Sequence, residues 1–78
     1  MAKVPTIEET TRAIFDAIST YNPRAGEIVP LMGIHMKLHA AGFRADDLNA
    51  ALGDMQEKGL IEGSGKFIKL TDEGFAAM

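Results

Sequence analysis

His35 and His39 are the residues of this chain best spaced to hold a metal ion. Four apart, they share one side of a helix, and an imidazole pair so placed can ligate zinc or a similar cation. Two ligands fill only half of a tetrahedral shell, and the HExxH arrangement, which adds a catalytic glutamate to such a pair, is missing. The pair therefore reads as two histidines beside a core stripe, and no metal is expected. The carboxylates come as three doublets, Glu8-Glu9, Asp46-Asp47 and Asp72-Glu73. Neighbours in sequence point to different faces of a helix, so none of the doublets makes a general acid–base pair. Ser19 and Ser64 lie far in sequence from either histidine, and there is no cysteine to act as a nucleophile, thiolate ligand or disulfide partner. Gly63-Ser64-Gly65 lacks the following helix that a phosphate-cradling loop needs. The expectation is a protein that is not an enzyme and takes no cofactor.

The chain has 78 residues, 46% hydrophobic and 24% charged, which fits one globular domain over residues 1–78 and excludes the large enzyme barrels. With no cysteines, packing must supply the stability. No apolar run is long enough for a signal peptide or a membrane span, so a soluble, cytoplasmic protein without a membrane partner is expected. The net charge of −3 is unevenly spread. Lys3, Arg12, Arg24, Lys37 and Arg44 outnumber Glu8, Glu9, Asp16 and Glu27 by one in the first 45 residues. The remainder sets Lys58, Lys66 and Lys69 against Asp46, Asp47, Asp54, Glu57, Glu62, Asp72 and Glu73.

The elements that position these groups follow from periodicity and punctuation. Thr6 and Glu9 have capping-box spacing, and Ile7, Thr11, Ile14, Ile18 and Tyr21 then recur on one helical face, with Phe15 beside it, up to a stop at Asn22-Pro23. Glu27-Ile28-Val29 is β-branched and lies between glycine and proline, which predicts a short strand. Pro30 suits the first turn of a second helix, with Leu31, Ile34, Leu38 and Ala41 inward and Gly42 at its end. A third helix starts near Arg44 or Ala45, buries Leu48, Ala51, Leu52 and Met55, and finishes at Gly59. Leu60-Ile61-Glu62 and Lys66-Phe67-Ile68-Lys69-Leu70 flank the Gly63-Ser64-Gly65 tip as a hairpin, with Ile61 expected opposite Phe67 and Glu62 opposite Lys66. Thr71 caps a last short helix from Asp72 to about Ala77.

This order, with Lys58-Gly59-Leu60-Ile61 leaving the third helix and Leu70-Thr71-Asp72-Glu73-Gly74 closing the hairpin, resembles the winged helix-turn-helix superfamily, in particular bacterial regulators of the multiple-antibiotic-resistance type. The resemblance covers nearly the whole chain. It implies an α+β, mostly α domain: helix, strand, helix, helix, β-hairpin and a short C-terminal helix. It also implies a DNA-binding regulator with double-stranded DNA as its partner, acting as a homodimer. In that family the start of the third helix enters the major groove, which nominates Arg44 and Asn49 there and Lys66 and Lys69 on the wing as DNA-binding residues.

The outward side of the third helix departs from the family pattern. Asp46, Asp47, Asp54 and Glu57 lie there with no base among them, and carboxylates oppose phosphates. Each acidic doublet falls in the first turn of an expected helix, where it interacts favourably with the dipole, so the acids have a structural reason as well. The alternative is a protein-binding winged helix whose acidic face meets a basic protein surface, as in a nucleic-acid-mimicking inhibitor such as a phage anti-defence protein. Met32, Met36 and Ala40 form a further candidate partner patch. Ile7, Ile14, Phe15, Phe75 and Met78 are the expected dimer surface.

Overall fold

The computed structural model describes residues 5–78, Ser64 by its backbone alone. The elements are α1 (Ile7–Ser19), β1 (Ile28–Pro30), α2 (Leu31–Ala40), α3 (Ala45–Glu57), β2 (Ile61–Ser64), β3 (Phe67–Leu70) and α4 (Asp72–Ala77). Three helices pack around one core, and a three-stranded antiparallel sheet in the order β1-β3-β2 closes it. The fold is thus α+β and mostly helical.

The capping box opens α1: the Glu9 N–H donates to Thr6 Oγ1 at 3.0 Å and the Thr6 N–H to Glu9 Oε1 at 3.3 Å. The buried face is Thr10, Ile14, Ala17 and Ile18: the middle of the expected stripe, Ile14 and Ile18, is buried, but its ends, Ile7 and Tyr21, are exposed. Thr10 tolerates burial because its hydroxyl donates to the Thr6 carbonyl at 2.9 Å. The helix also stops three residues before Asn22-Pro23. Ser19 and Thr20 hydroxyls donate to the carbonyls of Asp16 and Ala17 at 2.7 and 2.6 Å, drawing the last turn into local bonds.

The strand β1 lies one residue later than expected. Glu27 belongs to the preceding turn, where its N–H donates to the Arg24 carbonyl at 3.0 Å, and the ladder continues past Pro30 through a bond from the Leu31 N–H to the Lys66 carbonyl at 2.9 Å. Pro30 accordingly stands before α2 as its cap, with extended backbone, and not inside its first turn. A proline is admissible there because β1 is an edge strand.

Helices α2 and α3 end alike. Gly42 and Gly59 have φ of +96° and +75°, and the next residues, Phe43 and Leu60, donate back to Leu38 and Met55, each at 2.9 Å. Together with the bonds from Gly42 to His39 and Gly59 to Gln56, both 3.0 Å, these are Schellman motifs. Ala41 is the exposed cap of α2, outside the buried face formed by Ile34 and Leu38. In α3 the expected stripe of Leu48, Ala51, Leu52 and Met55 is buried.

The hairpin register differs from the expected one. Ile61 pairs with Leu70, Glu62 with Lys69, Gly63 with Ile68 and Ser64 with Phe67, so the turn is Gly65-Lys66. Gly65 takes φ +61° at the first of two turn positions, the place a type II′ turn reserves for glycine. The core decides the register. Ile61, Ile68 and Leu70 are all buried, which puts them on one face, and Phe67 is left on the other.

Candidate functional site

Two surfaces concentrate the candidate residues. The first runs along the exposed side of α3. Arg44 is its N-cap and is exposed, as is Asn49 in the following turn. Lys66 occupies the hairpin turn, and Lys69 projects from the outer face of β3, 4.0 Å from the Glu62 carboxylate. An exposed pair at that distance contributes little. Among the described residues no hydrogen bond or ion pair joins Arg44 and Asn49 to the two lysines.

The four acids of α3 divide into two kinds. Asp47 is half-buried and turns back to accept the Arg44 N–H at 3.3 Å, and Asp54 pairs with Lys58 at 3.0 Å one turn on. Both carboxylates thus have local partners. Asp46 and Glu57 are exposed and have no ion-pair partner among the described residues. A backbone N–H leaves the charge of Asp47 in place, so Lys58 offsets one of the four acids and three keep their charge uncompensated.

The second surface was only partly visible in the sequence. Met32 and Met36 are indeed exposed, at 73% and 68%, with Ala40 exposed beyond them. The hairpin adds Phe67 to them, and β1 adds Pro30 and Ile28. Pro30, Leu31, Met32, His35, Gly65, Lys66 and Phe67 line an open groove of about 700 Å³ between α2 and the hairpin turn. The expected register sets Phe67 opposite Ile61, whereas Leu70 takes that place; the alternation of Ile68 and Leu70 is the signal that Phe67 faces out. His35 belongs to this groove and His39 is exposed, and no third ligand joins them among the described residues.

A smaller groove of about 370 Å³ lies between α1, the end of α3 and α4, lined by Ile7, Thr11, Arg12, Phe15, Asp54 and Met78 among others. It holds much of the expected dimer surface. Ile14 is not part of that surface, being wholly buried in the core. Among the described residues no helix is long and apolar enough to cross a membrane. No family model, curated protein or solved structure matches this chain.

Proposed function

We propose that the chain is a winged helix-turn-helix module that associates with double-stranded DNA as a small regulator, α3 serving as the reading helix and the β2–β3 hairpin as the wing. The observation that carries this reading is the element order with its β1-β3-β2 sheet, which exposes Arg44 and Asn49 at the entrance of α3 and Lys66 at the hairpin turn. An arginine there reaches a phosphate or a guanine edge, and an asparagine reads adenine. The pairing of Asp54 with Lys58 supports it by offsetting one of the four opposing acids.

The test is retention on random duplex across a salt gradient. Binding at ~50 mM salt is expected to weaken steeply with added salt, and Arg44→Ala and Lys66→Ala each to lower the log–log salt slope by about 1. Asp46→Lys with Glu57→Lys should strengthen retention. A chain that passes through the column unretained at low salt rules the reading out.

The groove favours a second reading, a protein-docking winged helix. Its exposed Met32 and Phe67 stand beside Lys66, where a wing that touched DNA alone would need polar donors. This differs from a nucleic-acid mimic built on Asp46, Asp47, Asp54 and Glu57, since two of those acids are engaged locally.

A further inference from the structure

We propose, resting on the protein-docking reading of the groove between α2 and the hairpin turn, that its occupant is an acidic amphipathic helix of a partner protein. The apolar side chains of that helix sit between Met32 and Phe67, and its carboxylates meet Lys66 and His35.

Pro30, Leu31, Met32 and Phe67 wall the groove, and the bond from the Leu31 N–H to the Lys66 carbonyl at 2.9 Å ties its two sides together. The concavity is thus built before any partner arrives, which lowers the cost of binding. Met36, one turn beyond Met32, and Ile28, beside Pro30 on β1, extend the apolar surface. Ile28, Met32, Met36 and Phe67 are four of the eight large hydrophobic side chains exposed among the described residues, so apolar exposure is concentrated on this side. Two of the four are methionines, whose flexible side chains adapt to a partner's shape.

The charge of this surface sets the sign of the partner. The only ionisable groups lining the groove are His35 and Lys66, and Lys66 has no ion-pair partner among the described residues. The chain carries eleven acids, yet none lies between Glu27 and Asp46 or between Glu62 and Asp72, the stretches that form this surface. A basic segment would be repelled by Lys66, and a nucleic-acid backbone would leave Met32 and Phe67 without apolar contacts. A segment that carries apolar side chains flanked by carboxylates satisfies both kinds of group.

Neither edge of the sheet leads a strand into the groove. The outer edge of β1 ends in Pro30, which has no N–H to offer, and the free edge of β2 lies across β3 from Pro30. A helix needs no such ladder. It presents apolar side chains at i, i+3, i+4 and i+7 on one face with carboxylates beside them.

The test is fluorescence anisotropy of a labelled synthetic peptide of ~16 residues, with leucine and phenylalanine at that spacing and glutamate elsewhere, titrated with the full chain. Two companion peptides replace every glutamate by lysine or scramble the order. The acidic helix should bind at least about tenfold more tightly than either. Met32→Ser and Lys66→Glu, both at exposed positions, should each weaken it about tenfold. If Lys66→Glu loses its circular dichroism signature, Lys66→Gln should act in the same direction more mildly. Equal binding of the lysine peptide overturns the acidic partner and leaves protein docking standing, whereas no binding by any of the three overturns both. Equal binding of the scrambled peptide overturns the helical face. A chain that floats with vesicles of phosphatidylglycerol and phosphatidylcholine but ignores the acidic peptide assigns the surface to a membrane and overturns the proposal. So does binding that is lost in Ile7→Glu and kept in Met32→Ser, which would place the peptide in the smaller groove.

Discussion

Gly74 lies against the carbonyl of Leu60 so closely that a Cβ at this position would overlap the Leu60 oxygen and crowd its carbonyl carbon at 2.9 Å. The glycine is thus where α4 touches the corner at which α3 passes into β2. Leu70 Cδ1, 3.0 Å from the same point, closes the other side. An alanine in a helix interior normally gains about 1 kcal/mol over glycine. Here backbone meets backbone, and neither side can yield cheaply.

Gly74→Ala is therefore expected to destabilise the chain by about 1–3 kcal/mol, the usual range for overpacking. Gly53→Ala, on the exposed side of α3 with nothing within 4 Å, should stabilise it by about 0.5–1 kcal/mol. In a domain of this size each kcal/mol moves Tm by about 4–8 °C. Two thermal melts decide the matter, and shifts of the same sign would contradict the packing described.

Thr71 holds the same corner from the opposite side. Its hydroxyl lies 2.6 Å from the Gly59 carbonyl and 2.7 Å from the Leu60 carbonyl, sharing one proton between them, while it accepts the Gly74 N–H at 3.0 Å. One side chain thereby caps α4 and ties the end of α3 to the end of β3. Thr71→Val keeps the shape and removes these bonds, and should cost about 1–2 kcal/mol in urea unfolding. Thr71→Ser keeps the hydroxyl and should recover most of that loss. A loss at Thr71→Ser with none at Thr71→Val would mean that the methyl group, not the hydroxyl, matters.

Gly33 and Tyr21 are similarly matched, but through a movable partner. A Cβ on Gly33 would overlap the Tyr21 hydroxyl and lie 3.2 Å from the ring carbon that bears it. Tyr21 is half exposed and can swing aside, giving up its position beneath Lys37. Gly33→Ala should consequently give little net change in the wild type, the helix gain being offset by displacement of the ring. In a Tyr21→Ala background the same substitution should stabilise by the full ~1 kcal/mol. A double-mutant cycle measures the coupling, and a value indistinguishable from zero would mean that the ring does not rest on Gly33.

The features legible in the sequence were those whose cause is local. Thr6 and Glu9 satisfy each other within one turn, and Gly42 and Gly59 end helices through their own backbone freedom, so spacing alone places them. The hairpin register was not local. A glycine-rich tip permits several turns, and the choice fell to Ile61, Ile68 and Leu70, which must all face the core. The face of α1 was misread because Thr10 looks polar until its hydroxyl is matched to the Thr6 carbonyl, whereas Ile7 looks like core until the neighbouring helices leave it outside. The candidate site suffered the same way. The exposure of Arg44 and Asn49 at the start of α3 follows from helix periodicity, but the α2 groove needs Phe67 on the outer face, and Phe67 follows the register.

Thr10 and Thr11, adjacent on α1, should respond to the same substitution with opposite sign. The Thr10 side chain is buried and its hydroxyl donates to the Thr6 carbonyl at 2.9 Å. Thr11 Oγ1 is buried in the wall of the smaller groove and has no hydrogen-bond partner among the described residues. Valine preserves the β-branch in both places and removes only the hydroxyl. Thr10→Val forfeits a made bond and should destabilise by about 1 kcal/mol. Thr11→Val removes an unsatisfied group, whose burial costs about 1–3 kcal/mol, and should be neutral or stabilising by up to about that amount. Urea unfolding of the two variants gives the comparison directly. A clear loss of stability at Thr11→Val would show that its hydroxyl is satisfied in solution, and the smaller groove beside Phe15 and Met78 would then be the place to look for what satisfies it.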